Sequence, residues 1–414
     1  MRFSLSVTLC VREGRRARLW RGGEPSGVIV VASGRAAGFS VALLRTFFEI
    51  PSFQYRNSMS NRILFILKSR EGNWGYGSKE SGLSNSVRFV VDMLTARGIV
   101  AKAVEVNDNN DIDREVTAWR PSHVVIEAFW VVPEKFDVLR PLHPDVQWIV
   151  RDHSETPFLA NEGIAFGWTV DYLRRDIEVM CNSPRAVADM ATVAMSCGQS
   201  PINVTYGPNV YPVPSMENMV PHVRKTDVVD IGCFGAVRPL KNHMTQAIAA
   251  MAFADSVGVT LKFHINATRM EGKGEPVLKN LRELFARSRH TLVEHGWMPH
   301  ADFLDVLQDI DILMQVSFTE TFNIVAADAM AASVPVLVSR EIPWVGAYAH
   351  RDPTDAADMA QGLFGIWIED ERERVARLLA QRRDMERYVA CSVHTWVRRF
   401  GGSYMARSLK VAHA

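Results

Sequence analysis

Cysteine is scarce in this chain. Its 414 residues hold five: Cys10, Cys181, Cys197, Cys233 and Cys391. They are scattered, odd in number and form no CxxC pair, which argues against a disulfide framework or a zinc site and fits reduced thiols in a cytoplasmic protein. Long apolar runs are missing too, since none reaches the roughly 18–20 residues of a membrane span. There is almost no net charge, +1 from 47 basic and 46 acidic residues. That balance argues against a dedicated nucleic-acid binder, while leaving room for a local basic patch. No repeat of 20–50 residues is evident. What remains is 47% hydrophobic residues in a chain long enough for two or three domains, each with its own core.

The first 58 residues differ from the rest. They carry nine arginines against three glutamates, about +6, and no clear periodicity. Without a long apolar stretch after the start, a signal peptide is not expected, and an Arg-rich transit peptide is the alternative. The plainer reading is a poorly ordered basic extension, with the folded protein starting near Met59.

From Met59 the pattern is strand, loop, helix, repeated. RILFILK (62–68), AKAVEV (101–106), HVVIEAFWV (123–131), VQWIVRDHS (146–154) and EVMCNS (178–183) read as strands, and SVRFVVDMLTARG (86–98) as an amphipathic helix closed by Gly98. GPNVYPVPSMENMVPHVRKTD (207–227) holds four prolines and reads as an interdomain connection. The alternation then restarts with VVDIGCFGA (228–236), TLKFHINA, TLVEHGW, DILMQVS and VPVLVS as strands, and a charged helical stretch closes the chain. This predicts two doubly wound α/β domains: 59–210, a hinge over 211–227, and 228–390, followed by a helix over 391–414 packing back toward the first domain. Such sheets bind ligands beyond the carboxyl ends of their strands.

Two stretches carry chemistry. In CFGAVRPLKNH (233–243), Gly235 permits a tight turn after the strand, and Arg238 and Lys241 follow at the expected start of a helix, where phosphate binds well. The plainer reading is two solvated charges, but cations there oppose the helix dipole. In SFTETFNIVAADAMAASVPVLVS (317–339), Glu320 falls at a strand's carboxyl end. Asp328 follows two turns into the next helix, displaced by roughly 80° around its axis. The plainer reading makes Glu320 a cap and Asp328 a solvent-facing residue.

This second stretch resembles the signature of retaining glycosyltransferases of the group 1 type (family 4-like), which have the two-domain GT-B architecture. That signature is Glu, seven residues, Glu, then a small-x-Pro-Val strand. GAVRPLKNH resembles the family's Gly-Arg-x-x-x-x-Lys element, GPNVY its hinge, and HTWVRRFGGSYMARSL (394–409) its closing Trp-containing helix. The resemblance covers roughly residues 62–410. It implies transfer of a sugar from a nucleotide-sugar donor, UDP- or GDP-linked, to an acceptor hydroxyl, with retention and without a metal or other cofactor. By position, Lys241 would bind the donor diphosphate with Arg238 as its partner, and Glu320 would contact the sugar's hydroxyls. The amides of Phe322, Asn323 and Ile324 would touch sugar and phosphate, and Asp328 would bind the ribose. Gly82 and Leu83 would lie near phosphate or acceptor, and His153 near the reacting centre. Four departures stand out: Ala236 holds the family's arginine position, Asp328 replaces a glutamate, Ser333 a glycine, and Val210 the hinge glycine. The acceptor stays open among a glycan, a lipid-linked glycan, a protein, a small molecule and a modified DNA base. An epimerase of the same fold and a non-catalytic nucleotide-sugar-binding subunit are the alternatives.

Overall fold

The computed structural model describes residues 61–69, 81–215 and 227–401 in full, with the backbone of 35–36 and 39–40. The expected basic extension, most of the loop before Gly82, the middle of the hinge and residues 402–414 lie outside the described residues. Residues 1–58 and 59–414 form separate units. In the first, Arg35–Ala36 pairs with Phe39–Ser40 in an antiparallel ribbon.

In the second unit, two parallel sheets carry the fold. The first contains β1 (Arg62–Lys68), β2 (Val100–Val106), β3 (His123–Glu127), β4 (Gln147–Asp152), β5 (Glu178–Cys181) and β6 (Val204–Tyr206), in the order β2-β1-β3-β4-β5-β6. The other contains β7 (Val228–Gly232), β8 (Thr260–Asn266), β9 (Thr291–His295), β10 (Ile312–Gln315) and β11 (Val336–Val338), in the order β9-β8-β7-β10-β11. Both are doubly wound, with strand order reversing at β1/β3 and at β7/β10. Helices cover both faces, so central strands such as ILFI in β1 are buried throughout.

RILFILK matches β1 residue for residue and AKAVEV falls one short of β2, while the other strand readings hold in place but run long. The run 123–131 leaves the sheet after Glu127, because Ala128 takes φ +70° and the chain turns. Three-residue β6 escaped notice because it is too short for a periodic signal. The helix read over 86–98 is α1 (Gly82–Thr95), starting four residues earlier behind a Ser81–Ser84 capping box. Val87, Val90 and Leu94 recur at helical spacing and are buried on β1.

The last helix, α2 (Glu371–Phe400), starts at an Asp370–Glu373 capping box. Thirty residues give it about 45 Å of length, enough to span both sheets. Near its start, Gln381 receives the Val336 amide at 2.9 Å and donates to the Val334 carbonyl at 3.1 Å, tying it to the β11 edge. Near its end, buried Trp396 and Phe400 join the core under β1. Among the described residues no helix is long and apolar enough to cross a membrane.

Candidate active site

The reversal point of the second sheet lies between β7 and β10, and the two motifs singled out in the sequence are the loops leaving those strands. In an open α/β sheet this is where ligands sit. Gly235 turns the chain out of β7 with φ +111°, which a side chain rarely adopts, and its amide donates to Asn266 Oδ1 at 2.9 Å. Arg238 is then extended, not helical, and Pro239–Lys241 makes one 3₁₀ turn before α3 (His243–Val257). The expected pair of cations at a helix start is thus shifted onto the turn before it.

That turn aims Lys241 inward. Its Nζ meets Glu320 Oε1 at 2.5 Å, and both side chains are about nine-tenths buried. The pair closes the crevice between the two loops. Arg238 goes elsewhere: it pairs with Glu271 at 3.1 Å and stacks over Phe158 of the first domain at 4.6 Å. Glu271 also binds Arg269. Behind Lys241, His243 is held neutral, its pKa pushed down to about 3 by burial, then by Lys241 and Arg238.

The loop after β10 ends at Asn323, in the left-handed region at φ +57°, a conformation asparagine tolerates. Its side chain accepts the Ala326 amide at 2.9 Å and so caps α4 (Ile324–Ala331). The Phe322 ring is not in the crevice; it is buried between Trp344 and Tyr388, at 5.4 and 5.1 Å. The leading amides of α4 have no partner within the helix. Gly82, at the first position of α1, faces them: a Cβ there would lie 3.3 Å from Ile324 Cγ2. Two capped helix starts therefore converge across the cleft, both with the positive end of the dipole inward. Leu83 turns away and packs on the core of the first sheet.

Between them lies a cleft of about 490 Å³, lined by Gly82, Asn85, Gly235, Trp297, Phe303 and Asp328 among others. Asp328 is buried, and its Oδ1 accepts from Tyr211 Oη and from His300 Nε2, both at 2.7 Å. Asp328 is thus neither solvated nor wholly free, since half its carboxylate is held by protein. His153 reaches the site from the first domain. Its carbonyl accepts from Thr321 Oγ1 at 3.2 Å, beside Glu320.

Sequence reasoning missed Trp297, His300 and Asn266. All three stand at or just beyond the carboxyl ends of β8 and β9, which is the signal that could have found them. It also missed the reason for Ser333, which takes φ +60° where the resembled family has glycine.

Asp152, next to His153, has a carboxyl pushed up to about 7 by burial, with Glu162 and Glu155 adding to it. The folded state therefore holds a proton between about pH 4 and 7 that the unfolded chain, near 3.8, releases. Stability should fall across that window as pH rises. Asp152→Asn should flatten the fall, and a melting-temperature profile from pH 4 to 8 checks it; an unchanged slope would contradict it.

No family model and no curated protein matches this sequence. Solved structures do. The Candida albicans trehalose-6-phosphate phosphatase N-terminal domain superposes with TM-score 0.61 at 12% identity, covering 86% of this chain and 98% of that one. Sucrose-phosphate synthase from Thermosynechococcus elongatus gives 0.59 at 15%, covering 85% and 100%. The UDP-forming α,α-trehalose-phosphate synthase from Burkholderia vietnamiensis gives 0.59 at 12%, covering 85% and 99%. The architecture is GT-B: two Rossmann-like domains facing a cleft.

Proposed function

We propose that this chain is a retaining glycosyltransferase that moves a hexosyl or pentosyl group from a UDP- or GDP-linked donor to an acceptor hydroxyl. The observation that carries the reading is the buried Lys241–Glu320 pair at the reversal point of the second sheet, next to Gly235, which lines the cleft that the starts of α1 and α4 share. A diphosphate needs such a place: fixed positive ends, partly dry, with little reorganisation on binding. The structural likeness to synthases that are themselves UDP-forming or make sugar phosphates lends support.

In this reading the sugar carbon gains oxocarbenium character while negative charge grows on the leaving diphosphate. Lys241 meets that charge with its remaining N–H groups, and the amides of Asn323 and Ile324 assist. Glu320 orients Lys241 and accepts from sugar hydroxyls. The free Asp328 oxygen accepts from one ribose hydroxyl, with His300 beside it. Arg238 acts across the cleft mouth through Phe158, and no metal or cofactor is invoked. The protein acts in the cytoplasm. The pairing of Arg238 with Glu271 favours one second reading, nucleotide-sugar binding without transfer.

Proton NMR of the donor's anomeric signal tests this. With UDP- and GDP-sugars and a panel of glycan, lipid-linked and small-molecule acceptors, a new glycoside of unchanged anomeric configuration is expected. Inversion would remove the retaining assignment, an isomerised donor would make it an epimerase, and binding without consumption would favour the second reading. Tyr211→Phe, which frees Asp328 from one of its two donors, should change donor KM by less than about tenfold and leave kcat nearly unchanged.

A further inference from the structure

A buried polar cluster runs along β3 and β4. Arg151 is fully buried, and its guanidinium donates to the carbonyls of Gly207 and Pro208 and to Asn209 Oδ1, at 3.1, 3.1 and 2.9 Å. Its fourth partner is Glu127 on the neighbouring strand, at 3.4 Å. Glu127 is the register partner of Arg151 in the sheet, so β3–β4 pairing itself puts carboxylate beside guanidinium. The other Glu127 oxygen meets His153 Nε2 at 2.5 Å. The Glu127 side chain is wholly buried, whereas the His153 side chain keeps 15% of its surface.

The order of charge along this chain follows. Burial pushes the Glu127 carboxyl up, but Arg151 and His153 more than reverse that, so it stays ionised. Burial, then Arg151, hold His153 below the usual histidine range against the pull of Glu127. An ionised carboxylate only accepts, so a neutral imidazole must give it the Nε2 proton. Nδ1 is left bare. It makes no hydrogen bond among the described residues, and the His153 backbone meets Thr321, next to Glu320.

We propose that Glu127, held by Arg151, is a positioning residue that fixes His153 with Nε2 protonated and leaves Nδ1 as the acceptor for a hydroxyl of the bound sugar. The proposal rests on the sugar-transfer reading for the identity of that hydroxyl. The tautomer does not depend on it. The substitution Glu127→Gln presents a side-chain amide to Nε2 and drives the proton to Nδ1, turning the ring from acceptor to donor at the sugar.

Nitrogen-15 NMR of the full chain, labelled at histidine and assigned by loss of one signal in His153→Asn, reads the tautomer directly. Protonated Nε2 and bare Nδ1 are expected for the natural sequence without donor. The opposite tautomer there overturns the proposal whatever the activity, and this reading stands even if Glu127→Gln does not fold. In folded Glu127→Gln, the proton should move to Nδ1 and kcat should fall about tenfold, with KM for donor changing less. An unchanged tautomer or an unchanged kcat overturns it. Absence of any donor binding by the natural protein would instead overturn the sugar-transfer reading, with the tautomer still deciding what Glu127 does.

Discussion

Lys241→Ala should lower sugar transfer by about a hundredfold to a thousandfold, the range found when a single preorganised charge-stabilising donor is removed. Among the described residues Lys241 is the cation that meets the Glu320 carboxylate, whereas Arg185 reaches only the Glu320 carbonyl and pairs with Glu155 and Glu341. Arg238, the other cation of the motif, already pairs with Glu271 and stacks on Phe158. Arg238→Ala should therefore cost clearly less, about tenfold. The sequence placed both residues in one clamp, and the structure separates them. The alanine variant also leaves Glu320 buried without its partner, which costs about 3–5 kcal/mol when such a pair is broken. Rates should accordingly be compared at a temperature where melting curves show both proteins folded. Equal losses for Lys241→Ala and Arg238→Ala would contradict the division of roles.

Trp396→Ala should destabilise the protein by about 3–5 kcal/mol. The side chain is 1% exposed, lies 6.0 Å from the Phe65 ring and 5.8 Å from Phe400, and donates Nε1–H to the Pro208 carbonyl at 2.8 Å. Arg151 stacks over it at 5.2 Å. One residue thus fastens the end of α2 to the first sheet and to the segment entering the hinge. Its loss leaves a cavity and removes one of the two donors to the Pro208 carbonyl, the other being Arg151. A shift of the chemical-denaturation midpoint with unchanged slope measures the effect, and a loss below about 1 kcal/mol would show that the helix end is not anchored there.

These two residues show what a sequence discloses. Strand-and-helix alternation after Met59 is legible because buried parallel strands are apolar throughout and their helices are amphipathic. The two loops at the reversal point are legible because glycine, cations and carboxylates cluster where a buried strand ends. The partners are not legible. Lys241 and Glu320 are 79 residues apart, and only the strand order β7-β10 brings them together. Arg238 meets Glu271 because Val237 bridges to Met270 in the loop after β8, a contact no local pattern encodes. Glu127 and His153 need the β3–β4 register, which propensity does not fix. Phe322 was placed by its backbone, and its ring belongs to the core beneath.

The measurement that bears most directly on the donor cleft is a thermal-shift panel of UDP-, GDP- and ADP-sugars on the natural protein and on Lys241→Ala. A nucleotide sugar at about 100 times its Kd should stabilise the natural protein by roughly 2.7 kcal/mol. That shift should appear with one nucleotide class and be lost in the variant. No shift with any of them, or a shift that survives Lys241→Ala undiminished, would contradict a diphosphate held at the Lys241–Glu320 crevice.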